Sequence, residues 1–137
     1  MEPTFRDALG ALRNSYYQKG MYEESLEAAR KLHAARGEFD VVEALERGWS
    51  RGGYREAMSE AAEALISQSN PANAMRIATL LTYAGDTQRA LDWLETAYRE
   101  RLQNMVYLGV YPKWDPLRSD PRFQDLVRRM NLPPTAF

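Results

Sequence analysis

Three glycines, Gly20, Gly52 and Gly85, stand 32 and 33 residues apart, and five positions after each comes a small residue: Ser25, Ala57 and Ala90. A period in this range is that of stacked two-helix units, in which each copy rests only on its neighbours and the array offers a long surface to a partner. The chain therefore reads as a repeat, and a repeat of this kind points to binding before catalysis.

Aligned on the glycines, the residues before them repeat too: Leu9, Leu12, Arg13 and Tyr16, then Val41, Ala44, Leu45 and Gly48, then Ala74, Ile77, Ala78 and Leu81. Spacings of three and four set each group on one stripe of a helix. A second stripe follows each glycine, with Tyr22, Ser25, Ala29 and Leu32 in the first copy, Tyr54, Ala57, Ala61 and Ala64 in the second, and Thr87, Ala90, Leu94 and Ala97 in the third. The glycine falls where one helix ends and the chain reverses, a place that commonly takes positive φ. The small residue falls where the two helices of a unit cross, and a larger side chain there would wedge them apart.

These stripes predict helices near 4–18, 21–36, 39–50, 54–68, 71–83 and 87–102. Thr4 with Asp7 has the form of a capping box, Asn70 before Pro71 that of an N-cap with a first-turn proline, and Asp86 opens the helix after Gly85.

Past residue 102 the pattern changes. Continuing the phase brings Phe123, Val127 and Met130 to the places held by Ala90, Leu94 and Ala97, so the last helix, near 121–131, is the second half of a fourth copy. Its first half is broken by Pro112 and Pro116, which a helix interior does not accept; a short helix near 104–110 and an irregular segment are expected there. Asp115 before Pro116 and Asp120 before Pro121 both have the form of caps, which implies a one-turn helix and then the terminal one. An array needs a last unit with one apolar and one solvated side. Trp114, Leu117, Phe123, Leu126 and Val127 are expected to cover the third hairpin, with Arg122, Arg128 and Arg129 facing water.

The phased glycines, small residues and aromatics resemble the tetratricopeptide repeat, carried by Tyr16, Gly20, Tyr22, Ser25 and Leu32, by Leu45, Gly52, Tyr54, Ala57 and Ala64, and by Ala78, Leu81, Gly85, Ala90 and Ala97. No copy has the tryptophan that opens the fullest signature, and Gly48 stands in place of the usual tyrosine in the second. The resemblance implies an all-α, right-handed solenoid of antiparallel helical hairpins forming one domain over 1–137, with repeats near 4–36, 38–69 and 71–102 and a partial fourth capping it over 103–133. The stretch from LDWLETAYRER to DPLRSDPRFQDLVRRMNLP is also similar to the closing segment of tetratricopeptide modules in bacterial multidomain signalling proteins. That similarity implies a C-terminal module or a free-standing relative, and none of the upstream activities of such proteins.

A solenoid of this kind is lined on its concave side by the first helix of each hairpin. The outward positions, counted from the glycines, are Asn14, Tyr17 and Gln18; Val42, Glu46 and Trp49; Met75, Thr79 and Tyr83. Tyr17, Trp49 and Tyr83 are candidate anchors, because Trp and Tyr bury much area at low entropy cost. Packing against the next hairpin is the competing role for Tyr17 and Trp49. Relatives that clamp a peptide carboxylate use Lys and Asn on successive first helices; Asn14 matches, but Gly10 and Glu43 stand where Lys and Asn are needed. Residues 38–63 hold seven acids against three arginines, which favours a basic or neutral partner, unless they form only a solvated helical face.

Other classes fail on inventory. Cysteine is absent, so thiolate chemistry and disulfides are excluded, and the lone histidine, His33, is expected to pack or cap near the end of the first hairpin, a lone His being seldom a base or ligand. No phosphate-binding glycine loop occurs and no metal-ligand spacing is present, so no catalytic residue, cofactor or metal is expected. Lys and Arg total 18 against 19 for Asp and Glu, and the basic tail residues Lys113, Arg118, Arg122, Arg128 and Arg129 alternate with Asp115, Asp120 and Asp125, which is too little net charge for nucleic acid. No apolar run or leader pattern suggests a membrane or export. The expectation is a cytoplasmic, non-enzymatic adaptor that binds a protein or peptide in its concave groove; the alternative is a structural module that self-associates into a homo-oligomer or docks in cis.

Overall fold

Helices form where the paired stripes fall. The computed structural model describes residues 3–100 and 112–130, and among them are seven α-helices and no strand: α1 (Pro3–Gln18), α2 (Tyr22–Ala35), α3 (Phe39–Gly52), α4 (Tyr54–Ser67), α5 (Ala74–Tyr83), α6 (Thr87–Arg99) and α7 (Pro121–Arg129). The fold is all-α. Every helix lies within three residues of its expected bounds; the short helix expected near 104–110 lies outside the described residues. The chain divides into two compact units, Met1–Ala64 and Leu65–Phe137, a division that falls inside α4 instead of between expected repeats.

In the first unit α1 packs on α2, and α2 on α3. Gly20 turns the chain between α1 and α2 with φ +74, as the repeat requires. In the second copy the left-handed residue is Gly53, with φ +85, not Gly52. The glycine doublet lets α3 run two residues further, to Gly52, and the Gly53 amide closes it by donating to the Trp49 carbonyl at 3.0 Å. Because α1 begins at Pro3, Thr4 lies inside it and not at its cap. α3 and α4 approach closely where they cross: a Cβ added at Gly48 would lie 2.6 Å from Ala57 Cα and nearer still to the Glu56 carbonyl. Leu26, Ala29, Ala44, Leu45, Ala57, Met58 and Ala61 form the buried centre.

The second unit begins with the end of α4. Asn70 caps as expected, its side chain accepting from the Ala72 amide at 3.0 Å, but what it opens is a 3-10 turn over Pro71–Asn73, and α5 starts only at Ala74. α6 packs on α5. A 3-10 helix over Pro112–Leu117 lies against α5 and α6, and α7 lies against α6. Trp114, Leu117, Phe123, Leu126 and Val127 are all buried, in line with expectation. Asp120 caps α7 by accepting from the Arg122 amide at 2.8 Å. Asp115 caps nothing: it sits within the 3-10 helix and its carboxylate takes Arg118 Nε at 2.6 Å. Arg122 and Arg129 do not simply face water. They reach across to α6, Arg122 to Asp92 at 2.7 Å and Arg129 to Glu95 at 2.6 Å.

Candidate interaction surface

The expected binding residues divide between the two units. On α1 and α3, Gln18 and Glu46 are exposed, while Asn14, Tyr17, Val42 and Trp49 are partly exposed. On α5 the expectation fails. Met75, Thr79 and Tyr83 are 6%, 3% and 1% exposed, and Thr79 turns its hydroxyl back onto the Met75 carbonyl at 2.9 Å. α5 carries no acid and a single Arg in AMRIATLLTY, so nearly all of its circumference is suited to burial.

Tyr17 belongs to a cluster that the repeat arithmetic did not assemble. Its ring stacks on Tyr54 of α4 at 5.7 Å between centroids, and Tyr22 at the start of α2 lies 5.0 Å from Tyr54 and 6.1 Å from Tyr17. Tyr54 is buried, Tyr17 half-buried, and Tyr22 is 47% exposed, so the cluster rises from the core to the surface. The Ser25 hydroxyl donates to the Arg13 carbonyl at 2.9 Å, which leaves its oxygen to accept from the Tyr54 phenol at 2.8 Å. Burial pushes Tyr54 up to about 12, against the opposing pull of that hydrogen bond. Burial also raises Tyr17, with the neighbouring Tyr22 adding and Arg55 subtracting. The signal for the cluster was present in sequence: Tyr22 and Tyr54 each follow a repeat glycine by two residues. They served there only to mark the register.

Part of the charge on this unit is matched. Glu46 forms an ion pair with Arg30 of α2 at 2.6 Å, and Glu60 pairs with Arg47 at 3.0 Å and Arg51 at 3.1 Å. Of the seven acids over residues 38–63, Glu46 and Glu60 are thus matched by arginine, while Glu43 and Glu56 are exposed. His33 is buried, its Nδ1 3.0 Å from Glu38 Oε1, where it ties the end of α2 to the approach to α3.

In the second unit a cleft of about 230 Å³ is lined by Leu65, Ile66, Ile77 and Trp93 among others. It is smaller than the usual ligand pocket of about 300–1,000 Å³. Among the described residues no three His, Asp or Glu side chains gather as metal ligands, and no helix is long and apolar enough to cross a membrane. Comparison with protein-family models, curated proteins and solved structures finds no match.

Proposed function

We propose that the chain is a non-enzymatic interaction module, a right-handed solenoid of the tetratricopeptide kind, whose first unit holds a peptide or protein segment on the face of Asn14, Tyr17, Gln18, Val42, Glu46 and Trp49. The observation that carries this is Tyr17: its ring stacks on Tyr54 and lies beside Tyr22, which hold it in place, and it remains partly exposed. A ring already held in place loses little entropy when a partner covers it. Trp49 supplies a second, partly exposed aromatic from α3 of the same unit. With Glu46 matched by Arg30, the face is nearly neutral and suits an apolar or uncharged polar segment better than a strongly charged one.

Selection from a displayed peptide library tests this. Enriched peptides are expected to lose about 30-fold in affinity to Trp49→Ala and to Tyr17→Ala, the equivalent of about 2 kcal/mol at an anchor, with circular dichroism confirming that both variants fold. Equal binding by both variants, or no enrichment at all, would sink the assignment.

A further inference from the structure

The cleft of the second unit is apolar with one exception. Leu65 and Ile77, which line it, are 0% and 1% exposed, and beside them lie the partly exposed Ile66 and Trp93 and the exposed Pro71. Of its lining residues Glu100 alone carries a charge. Glu100 is exposed and is answered by no ion pair among the described residues. Asn70 also lines the cleft, but its side chain is already engaged by the Ala72 amide.

Trp93 and Glu100 are seven residues apart. At 100° per residue they stand within about 20° of one line along α6, about 10 Å from each other. The cleft therefore has an indole near one end and a carboxylate near the other. Glu100 is also the C-cap of α6, where the last carbonyls carry partial negative charge and favour a cation over an anion. A carboxylate at this end is disfavoured by the helix itself, and a bound cation would answer both. The neighbouring Arg99 does not fill that role: its guanidinium donates to the Thr96 hydroxyl at 3.1 Å, and Arg99 lies about 100° around α6 from Glu100.

We infer that this cleft is a binding site for a small organic ammonium ion, its apolar body against Ile66, Pro71 and Trp93 and its charged end on Glu100. Size sets the class. At about 30 Å³ for each water-sized group, a cleft of about 230 Å³ holds roughly eight non-hydrogen atoms, the size of a short alkyl or arylalkyl amine. Charge sets the rest. A neutral apolar guest would draw water from Glu100 without offering it a counter-charge, and a carboxylate would meet both Glu100 and the carbonyls that end α6. The site lies wholly within the second unit and does not depend on Tyr17 or Trp49.

Hexylammonium and its neutral counterpart hexanol are the probes, each titrated in large excess into the isotope-labelled chain. Hexylammonium is expected to shift the Trp93 indole N–H and the amides of Ile66 and Glu100. It should bind at least about ten-fold tighter than hexanol, the worth of one charged hydrogen bond. Glu100→Gln, at an exposed position, is expected to remove that preference and leave hexanol binding unchanged. Equal binding of the two probes by the native chain, a preference that survives Glu100→Gln, or no shift at Trp93 would overturn the proposal. So would tighter binding at the same resonances by the peptide acetyl-Ala-Lys-Ala-amide, because the occupant would then be a lysine side chain of a partner protein. None of these outcomes touches the library experiment, which reads Tyr17 and Trp49.

Discussion

The Tyr54 phenol and the Ser25 hydroxyl lie 2.8 Å apart, and through the bond from Ser25 to the Arg13 carbonyl they join α4, α2 and α1 in one chain of hydrogen bonds. Ser25 holds the place that Ala57 and Ala90 hold in the other copies, so the small residue of the helix crossing here also carries a polar duty. Ser25→Ala strands a buried phenol, at a cost of about 1–3 kcal/mol. Tyr54→Phe removes both the phenol and its need for a partner. The pair of substitutions should therefore cost clearly less than the sum of the single ones in urea unfolding; simple additivity would show that the bond is not made.

The same phenol sets an alkaline limit. Folding raises Tyr54 from 10.0 to about 12, burial being the main cause. A group raised on folding contributes its full share of stability below its unfolded value and loses it as pH climbs through the folded one. Stability should thus fall between pH 10 and pH 12, by at most about 3 kcal/mol. Tyr54→Phe is expected to flatten this part of the curve, measured by denaturant unfolding at stepped pH. An unchanged slope in that variant would assign the alkaline loss to other groups.

Gly48 and Gly52 sit one helical turn apart on α3 and should respond differently to the same change. At Gly48 an added Cβ meets the backbone of Glu56 and Ala57, whereas at Gly52 it meets the Glu56 side chain, with Cγ at 2.6 Å. Backbone cannot step aside without parting the helices; a glutamate side chain can rotate. Gly48→Ala is expected to destabilise by about 1–3 kcal/mol despite Ala being the better helix former, and Gly52→Ala to be near neutral. Thermal melts of the two variants decide it, and equal melting temperatures would mean that α3 and α4 do not cross at Gly48.

Such contrasts mark how far the sequence was legible. The stripes fixed the helices because burial follows a period of 3.6 residues, and in a repeat the same period is read several times over. Gly48 was visible as a departure from the tetratricopeptide pattern, yet its contact with Glu56 and Ala57 is a tertiary fact with no local signature. Position Gly53 was missed because two adjacent glycines offer the left-handed turn equally, and only the Trp49 carbonyl selects between them. Met75, Thr79 and Tyr83 were placed on an open face by register alone, which gives direction around a helix but not what lies beyond it. Leu12 failed in the opposite sense: its stripe reads as core in every copy, yet among the described residues Leu12 is 45% exposed.

The contact of α7 with α6 lets two kinds of interaction be weighed against each other. Phe123 is fully buried, while Arg122 reaches Asp92 with its side chain 39% exposed and Asp92 64% exposed. Exposed pairs are worth about 0–1 kcal/mol and weaken as salt screens them. Emptying the space of a buried phenylalanine costs about 3–5 kcal/mol and is indifferent to moderate salt. Phe123→Ala should therefore destabilise several times more than Arg122→Ala, and the small effect of Arg122→Ala should shrink further in about 1 M sodium chloride, where the Debye length is about 3 Å. Urea unfolding of both variants at low and high salt is the measurement. A loss for Arg122→Ala that matches Phe123→Ala would mean that the ion pairs to α6, and not the apolar face of α7, hold the last helix in place.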